Sequence, residues 1–261
     1  MTTDSQPEGG SNTLDVDSPN YWIDRCRGTP LSIVVPPYIR FLQGLLVLRN
    51  ALVLLKSVRT VALADHHGLA GPFKVLEESK DTKRLGLTYE TFFASHLMIN
   101  LVSEVEHFLG SAVSAVLRMY PEKMGAQTFK LADIISAGST DELVDRAARA
   151  VLNEMMYEKP AAYITRLSSI LSIDAIPLAD DWRGFVELKA RRDVGVHNNW
   201  FVNEIYLRKL KEAGVETALN IGDRVIPDFR YMNWATDMCQ HLVETTANLL
   251  GEKWLPLLEK K

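Results

Sequence analysis

Arg192, Asp193 and His197 stand within six consecutive positions. A guanidinium, a carboxylate and an imidazole are together the groups that metal-free cleavage of an RNA phosphodiester requires. Such cleavage needs a base for the ribose 2′-OH proton, a cation for the phosphorane oxygens and an acid for the leaving 5′-oxygen. A histidine side chain titrates near pH 6.5 and serves as base or acid in the cell. Arginine stays protonated and offers phosphate a planar fork, so Arg192 is the electrostatic stabiliser in this reading. Asp193, four residues before His197, would share its helical face and orient the imidazole or hold its proton. The alternative for that pair is a side-chain contact closing a helix end. Attack by an internal oxygen would leave a 2′,3′-cyclic phosphate and a 5′-hydroxyl.

Spacing sets a condition on this chemistry. Five residues along a regular helix turn Arg192 and His197 about 140° apart, so one helix cannot aim both at one phosphate. Gly195 between them would permit a local departure from helix geometry, and a two-fold interface would let one subunit's arginine face the other's histidine. Between Arg183 and Lys211 seven cations meet three carboxylates, a net of +4 in a chain whose total is -4. A patch of that sign can hold a phosphate backbone. Its plainer reading is a solvated helix face in which Glu187 pairs with Arg191 at four-residue spacing.

The segment GFVELKARRDVGVHNNWFVNEIYLRK, Gly184 to Lys209, resembles the signature of HEPN domains (higher eukaryotes and prokaryotes nucleotide-binding). That motif is an arginine, a polar residue, a short spacer and a histidine. Arg192, Asp193 and His197 fit those places, and Val196-His197-Asn198-Asn199 fits the usual flank. The stretch LVSEVEHFLGSAVSAVLRMYPEK resembles the earlier core helix of such domains, which often ends in Tyr-Pro. The likeness covers roughly Thr88 to Leu250. Trp200 departs from it, standing where many relatives carry glycine.

The resemblance implies an antiparallel helical bundle that dimerises and sets two motifs around one cleft. It implies a cytoplasmic, metal-independent RNA endonuclease of a toxin or phage-defence system, with RNA, a second copy and an antitoxin or defence-system protein as partners. No cofactor and no metal are expected. Arg192, His197 and Asp193 would be catalytic, and Lys189, Arg191, Asn198, Asn199 and Trp200 would hold the substrate. Other members have lost the reaction and serve as binding or assembly modules, which is the alternative for this chain.

The elements that must position these residues are helices. Tyr38 to about Ala64 is apolar nearly all round, as suits a helix buried on several sides or packed against a second subunit. Thr88 to Tyr120 runs without proline, with Phe92, Leu97, Leu101, Val105, Phe108, Val113 and Leu117 near helical spacing, and Pro121 stops it. Ser139-Thr140-Asp141-Glu142 offers a cap ahead of Leu143 to Met156. Further helices are expected over Ala161–Leu171, from Asp180 to the His197 motif, over Asn203–Ala213, and over about Tyr231–Leu250. Leu31–Val35, β-branched and followed by Pro36-Pro37, allows one short extended piece, and Val215–Arg230 a loop or short hairpin. The fold class is therefore all-α: a flexible tail over 1–19, an N-terminal helical extension over 20–85 and a HEPN-like helical domain over 86–261.

Composition agrees with a soluble globular chain. Of 261 residues, 47% are hydrophobic and 24% charged, which excludes collagen-like, disulfide-scaffold and wholly disordered classes. Cys26 and Cys239 match neither a disulfide framework nor a zinc spacing, so a reducing cytoplasm is expected. The most apolar run, Phe41 to Leu55, is shorter than the roughly 20 residues of a bilayer span and reads as a core helix, with no membrane partner. Adjacent His66 and His67 point to different sides of a helix and make a poor metal pair. Glu104 and Glu106, inside the long apolar helix, read as solvent-facing or paired. Trp182, Phe185, Trp200, Phe201 and Tyr206 read chiefly as core, with base stacking an option mainly for Trp200.

Overall fold

A computed structural model describes residues 19–63, 82–126 and 128–258. Residues 1–18 of the expected tail and the His66-His67 pair lie outside the described residues, and Pro19 already opens the first helix. About 80% of the described residues are helical, and they contain no strand. The helices are α1 Pro19–Cys26, α2 Val35–Leu63, α3 Thr82–Met119, α4 Leu131–Ser136, α5 Thr140–Met156, α6 Pro160–Leu171, α7 Ala179–Asn198, α8 Glu204–Glu212 and α9 Phe229–Leu258.

Helix α3 is the axis of this all-α bundle and packs against α2, α5, α6, α7 and α9. The reason is in its sequence: Val102, Val105, Phe108, Leu109, Ala112, Val113 and Val116 are buried along one broad face, while Ser103, His107 and Arg118 lie exposed opposite. Of the side chains expected to face inward, Phe92 is exposed and the rest are buried or half-buried. One continuous core runs from Trp22 in α1 to Leu255 in α9. Ser139 caps α5 by accepting from the Glu142 amide, as its local sequence requires.

Helix α2 buries Tyr38, Phe41, Leu45, Leu48 and Leu52 while Leu46, Val47, Val53 and Leu54 stay exposed. Pro30–Leu54 is long and apolar enough to cross a membrane, with a third of its most apolar window buried in the protein. Arg40 and Arg49 tie α2 to the bundle through Glu104 and Asp237, each at 2.8 Å.

The chain departs from the sequence reading at three places. Leu31–Val35 is not extended: Pro30–Val34 is a 3-10 turn whose spacing buries Leu31 and Val34 together. Pro36 and Pro37 do not break the chain but occupy the first turn of α2, where a missing N–H loses no helical bond. Of the loop and the short hairpin left open for Val215–Arg230, the loop is present as far as Asp228, with one bridge between Phe201 and Arg224, and Phe229 already opens α9. Helix α9 runs on to Leu258, because Trp254 is buried against Tyr120 and its indole N–H donates to the Leu171 carbonyl.

Both cysteines are free and buried. Burial pushes the Cys26 thiol from 9.0 up to about 12, and burial with Glu244 moves Tyr38 from 10.0 to about 12. In the unfolded chain these groups lose their protons near pH 9 and 10, whereas the folded chain holds them to about 12. The stability they confer is therefore complete below pH 9 and is lost as pH climbs toward 12. The melting temperature measured in steps from pH 8 to 12 is expected to fall progressively across that window. A flat profile would mean that the two sites are open to solvent.

Candidate functional site

Helix α7 carries most of the expected site, and a small second core holds its end. Ala190 and Val194 of α7 pack with Val202, Tyr206 and Leu210 around α8 and with Val225 of the following loop. The helix stops after Asn198 because Asn199 (φ 49°) and Trp200 (φ 66°) are both left-handed and turn the chain back. The Trp200 amide donates to the Val194 carbonyl, and the Trp200 carbonyl accepts from the Val225 amide. A left-handed tryptophan is rare, since its Cβ crowds the backbone. Here the indole lies flat on Gly195: a Cβ built on that glycine would come within 2.5 Å of the ring.

Gly195 thus has a packing role, and α7 runs unbroken through it. The expected departure from helix geometry does not occur, so within one chain Arg192 and His197 point about 140° apart. Alanine at 195 gains up to about 1 kcal/mol in helix propensity but must displace the indole, at a cost of about 1–3 kcal/mol. Gly195→Ala is expected to lower the urea midpoint. In a Trp200→Ala background the same change should raise it, and equal effects in both backgrounds would refute the contact.

His197 sits in the last turn of α7, exposed, and makes no hydrogen bond or ion pair among the described residues. Exposed Val196, Phe201, Ile205 and Ile221 belong to the same end of the molecule. Asp193 is not bonded to it. One of its oxygens accepts from Lys209 Nζ at 2.8 Å, and the other lies 3.1 Å from Arg192 Nε. That Nε is buried without an aligned acceptor, and Arg192 Nη2 reaches toward Glu106 of α3 at 3.7 Å. Glu106 also holds Lys189 at 2.5 Å. Glu104 and Glu106 are both paired, as their place in the apolar helix suggested.

The chain matches no family model, no curated protein and no solved structure.

The remaining expected substrate residues are spread over several tasks. Asn198 donates to the Phe201 carbonyl at 2.6 Å, and Asn199 is exposed at the left-handed turn. Arg191 is 16% exposed: its Nε donates to Glu187 at 2.8 Å, Nη1 donates to the Val225 carbonyl, and the guanidinium lies 3.9 Å from the Tyr231 ring centre. The Glu187–Arg191 pair read from the spacing is thus present. Glu187, 8% exposed, also accepts from the hydroxyls of Tyr206 and Tyr231. Burial first, and Glu187 second, raise both phenols and keep them protonated donors. Neither tyrosine is marked by the motif.

In space the cationic patch is weaker than in sequence, because Glu106 and Asp180 join it from outside the counted window. Arg183, Lys189, Arg191, Arg192 and Lys209 each have an acidic partner, while Arg208 and Lys211 have none among the described residues. Trp182, Phe185 and Tyr206 are core side chains, as expected. No group of three or more His, Cys, Asp or Glu is placed to hold a metal ion among the described residues.

Proposed function

We propose that this chain is a metal-independent endoribonuclease of HEPN type, cytoplasmic and dimeric, that cleaves RNA by 2′-OH attack with His197 as acid or base and Arg192 as stabiliser. The observation that carries the reading is the unpartnered, exposed imidazole at the end of α7, free to meet a substrate. Two further features support it. Exposed apolar Val196, Phe201, Ile205 and Ile221 offer a surface that a second copy would cover. Position 200, where the HEPN resemblance calls for glycine, has the left-handed backbone that glycine adopts most readily. A toxin or phage-defence setting, with an antitoxin or defence-system partner, follows from the resemblance alone.

The second reading is a catalytically silent HEPN module that binds a partner protein or nucleotide. It is favoured by the way Glu106 and Asp193 already neutralise Arg192. Incubating the purified protein with single-stranded RNA in chelator separates the two. Cleavage to 2′,3′-cyclic phosphate ends, reduced about 100-fold or more by His197→Ala, supports the nuclease. No cleavage, or equal cleavage by that variant, would leave the silent module standing.

A further inference from the structure

Helix α2 is a core helix on one side only. Tyr38, Phe41, Leu45, Leu48 and Leu52 are buried where α2 packs on α3 and α9. On the other side Ile39, Leu46 and Val53 recur every seventh position and are exposed, with Val47 and Leu54 beside them. More than half of the surface of Leu46, Val47, Val53 and Leu54 is open to solvent. At 100° per residue the five side chains span an arc of about 120°, the width of a full apolar face. The apolar surface carries on into α3, where Phe92 and Phe93 are exposed and Leu97 lines one groove with Val47.

Charge frames that face. Val35–Leu63 contains Arg40, Arg49, Lys56 and Arg59 and no carboxylate, +4 in a chain whose total is -4. On the same projection Arg49 and Lys56 stand along one edge of the apolar arc and Arg40 along the other. All three are exposed. Arg40 and Arg49 are paired with Glu104 and Asp237, yet 62% and 47% of their side chains stay open to solvent. Gln43 and Asn50 lie within the arc and are exposed too.

We infer that this face binds the surface of an anionic lipid bilayer. Helix α2 lies in the headgroup plane, its apolar stripe among the upper acyl chains and its flanking cations on the lipid phosphates. Charge and apolarity select the occupant together. A second copy of α2 would set four cations against four, and RNA would leave the apolar stripe uncovered. The helix does not cross the bilayer: crossing would strip Tyr38, Phe41 and Leu48 from the core and carry Arg40, Arg49 and two amides into hydrocarbon. The amides of Gln43 and Asn50 keep the stripe shallow, at the depth where water and headgroups satisfy them. The inference goes beyond the nuclease reading and does not depend on it, because neither Arg192 nor His197 takes part.

The test is sedimentation of the full chain with vesicles, one set of phosphatidylcholine alone and one of equal parts phosphatidylcholine and phosphatidylserine. Binding to the second set is expected to be at least tenfold stronger than to the first and to weaken as salt rises. Lys56→Gln should weaken it about fivefold, and Leu46→Gln combined with Val53→Gln at least tenfold. All three positions are exposed, so the melting temperatures should be unchanged. Asp237→Asn should tighten binding, since it releases Arg49. His197→Ala should sediment like the wild type, whatever its effect on RNA. Absence of sedimentation with the anionic vesicles, or sedimentation indifferent to the Leu46 and Val53 changes, overturns the inference. A lipid-free dimer that those two changes split, with no vesicle binding, overturns it in favour of a second copy.

Discussion

Glu187→Ala is expected to lower the unfolding free energy by about 3–5 kcal/mol, the range for removing one partner of a buried ion pair. The carboxylate accepts from Arg191, Tyr206 and Tyr231, on three different segments, and is itself almost fully buried. Alanine would leave the Tyr206 hydroxyl, on a side chain 1% exposed, with no acceptor and Arg191 with only the Val225 carbonyl and the Tyr231 ring. Glu187→Gln keeps the volume and one acceptor oxygen, so a smaller loss of about 1–3 kcal/mol is expected. Urea unfolding with an unchanged m-value measures both. Losses below about 0.5 kcal/mol for the alanine variant would show that α7, α8 and α9 are not joined through this carboxylate. The joint also bears on the proposed function, because Glu187 and Arg191 fix the body of α7 while its last turn holds the exposed His197.

The parts of this fold that could be read from sequence are those set by neighbouring residues. Ser139 caps α5 because its hydroxyl reaches an amide three positions on, and Pro121 follows α3 because proline cannot extend a helix. Gly195 reads as permitting a local departure in α7, and the last helix is expected to end at about Leu250. Both helices continue. A Cβ on Gly251 would meet Trp22 at 2.6 Å, as one on Gly195 would meet Trp200. Each glycine is small because an indole lies on it. For Gly251 that indole comes from the other end of the chain, so no local pattern announces it.

The same limit governed the site. The pairing of Glu187 with Arg191 was legible, being one helical turn, but the two tyrosines that complete it arrive from α8 and α9. The charge count over Arg183–Lys211 overstated the field because it omitted Glu106, which α3 carries across from far upstream. The preference of Asp193 for Lys209 over His197 depends on how α8 folds back on α7, which spacing within α7 does not encode.

On the dimeric nuclease proposed above, mixing two inactive chains is expected to restore cleavage to about one quarter of the wild-type rate. Arg192→Ala and His197→Ala should each lose about 100-fold or more as homodimers. The unbroken α7 separates the two side chains by about 140° within one chain, so a cleft that uses both draws the arginine from one protomer and the histidine from the other. In a mixed dimer one cleft then combines two alanines and the other combines an intact Arg192 with an intact His197. Random exchange makes about half of the dimers mixed, each with one of two clefts working, which gives the quarter. Were both groups of a cleft supplied by the same chain, no mixed dimer would hold a complete set and the mixture would stay as inactive as its parts. Glu106 sharpens the outcome. It must release Arg192 before that guanidinium can face a phosphate, so Glu106→Gln in the chain that donates Arg192 should raise the restored rate, and in the other chain leave it unchanged.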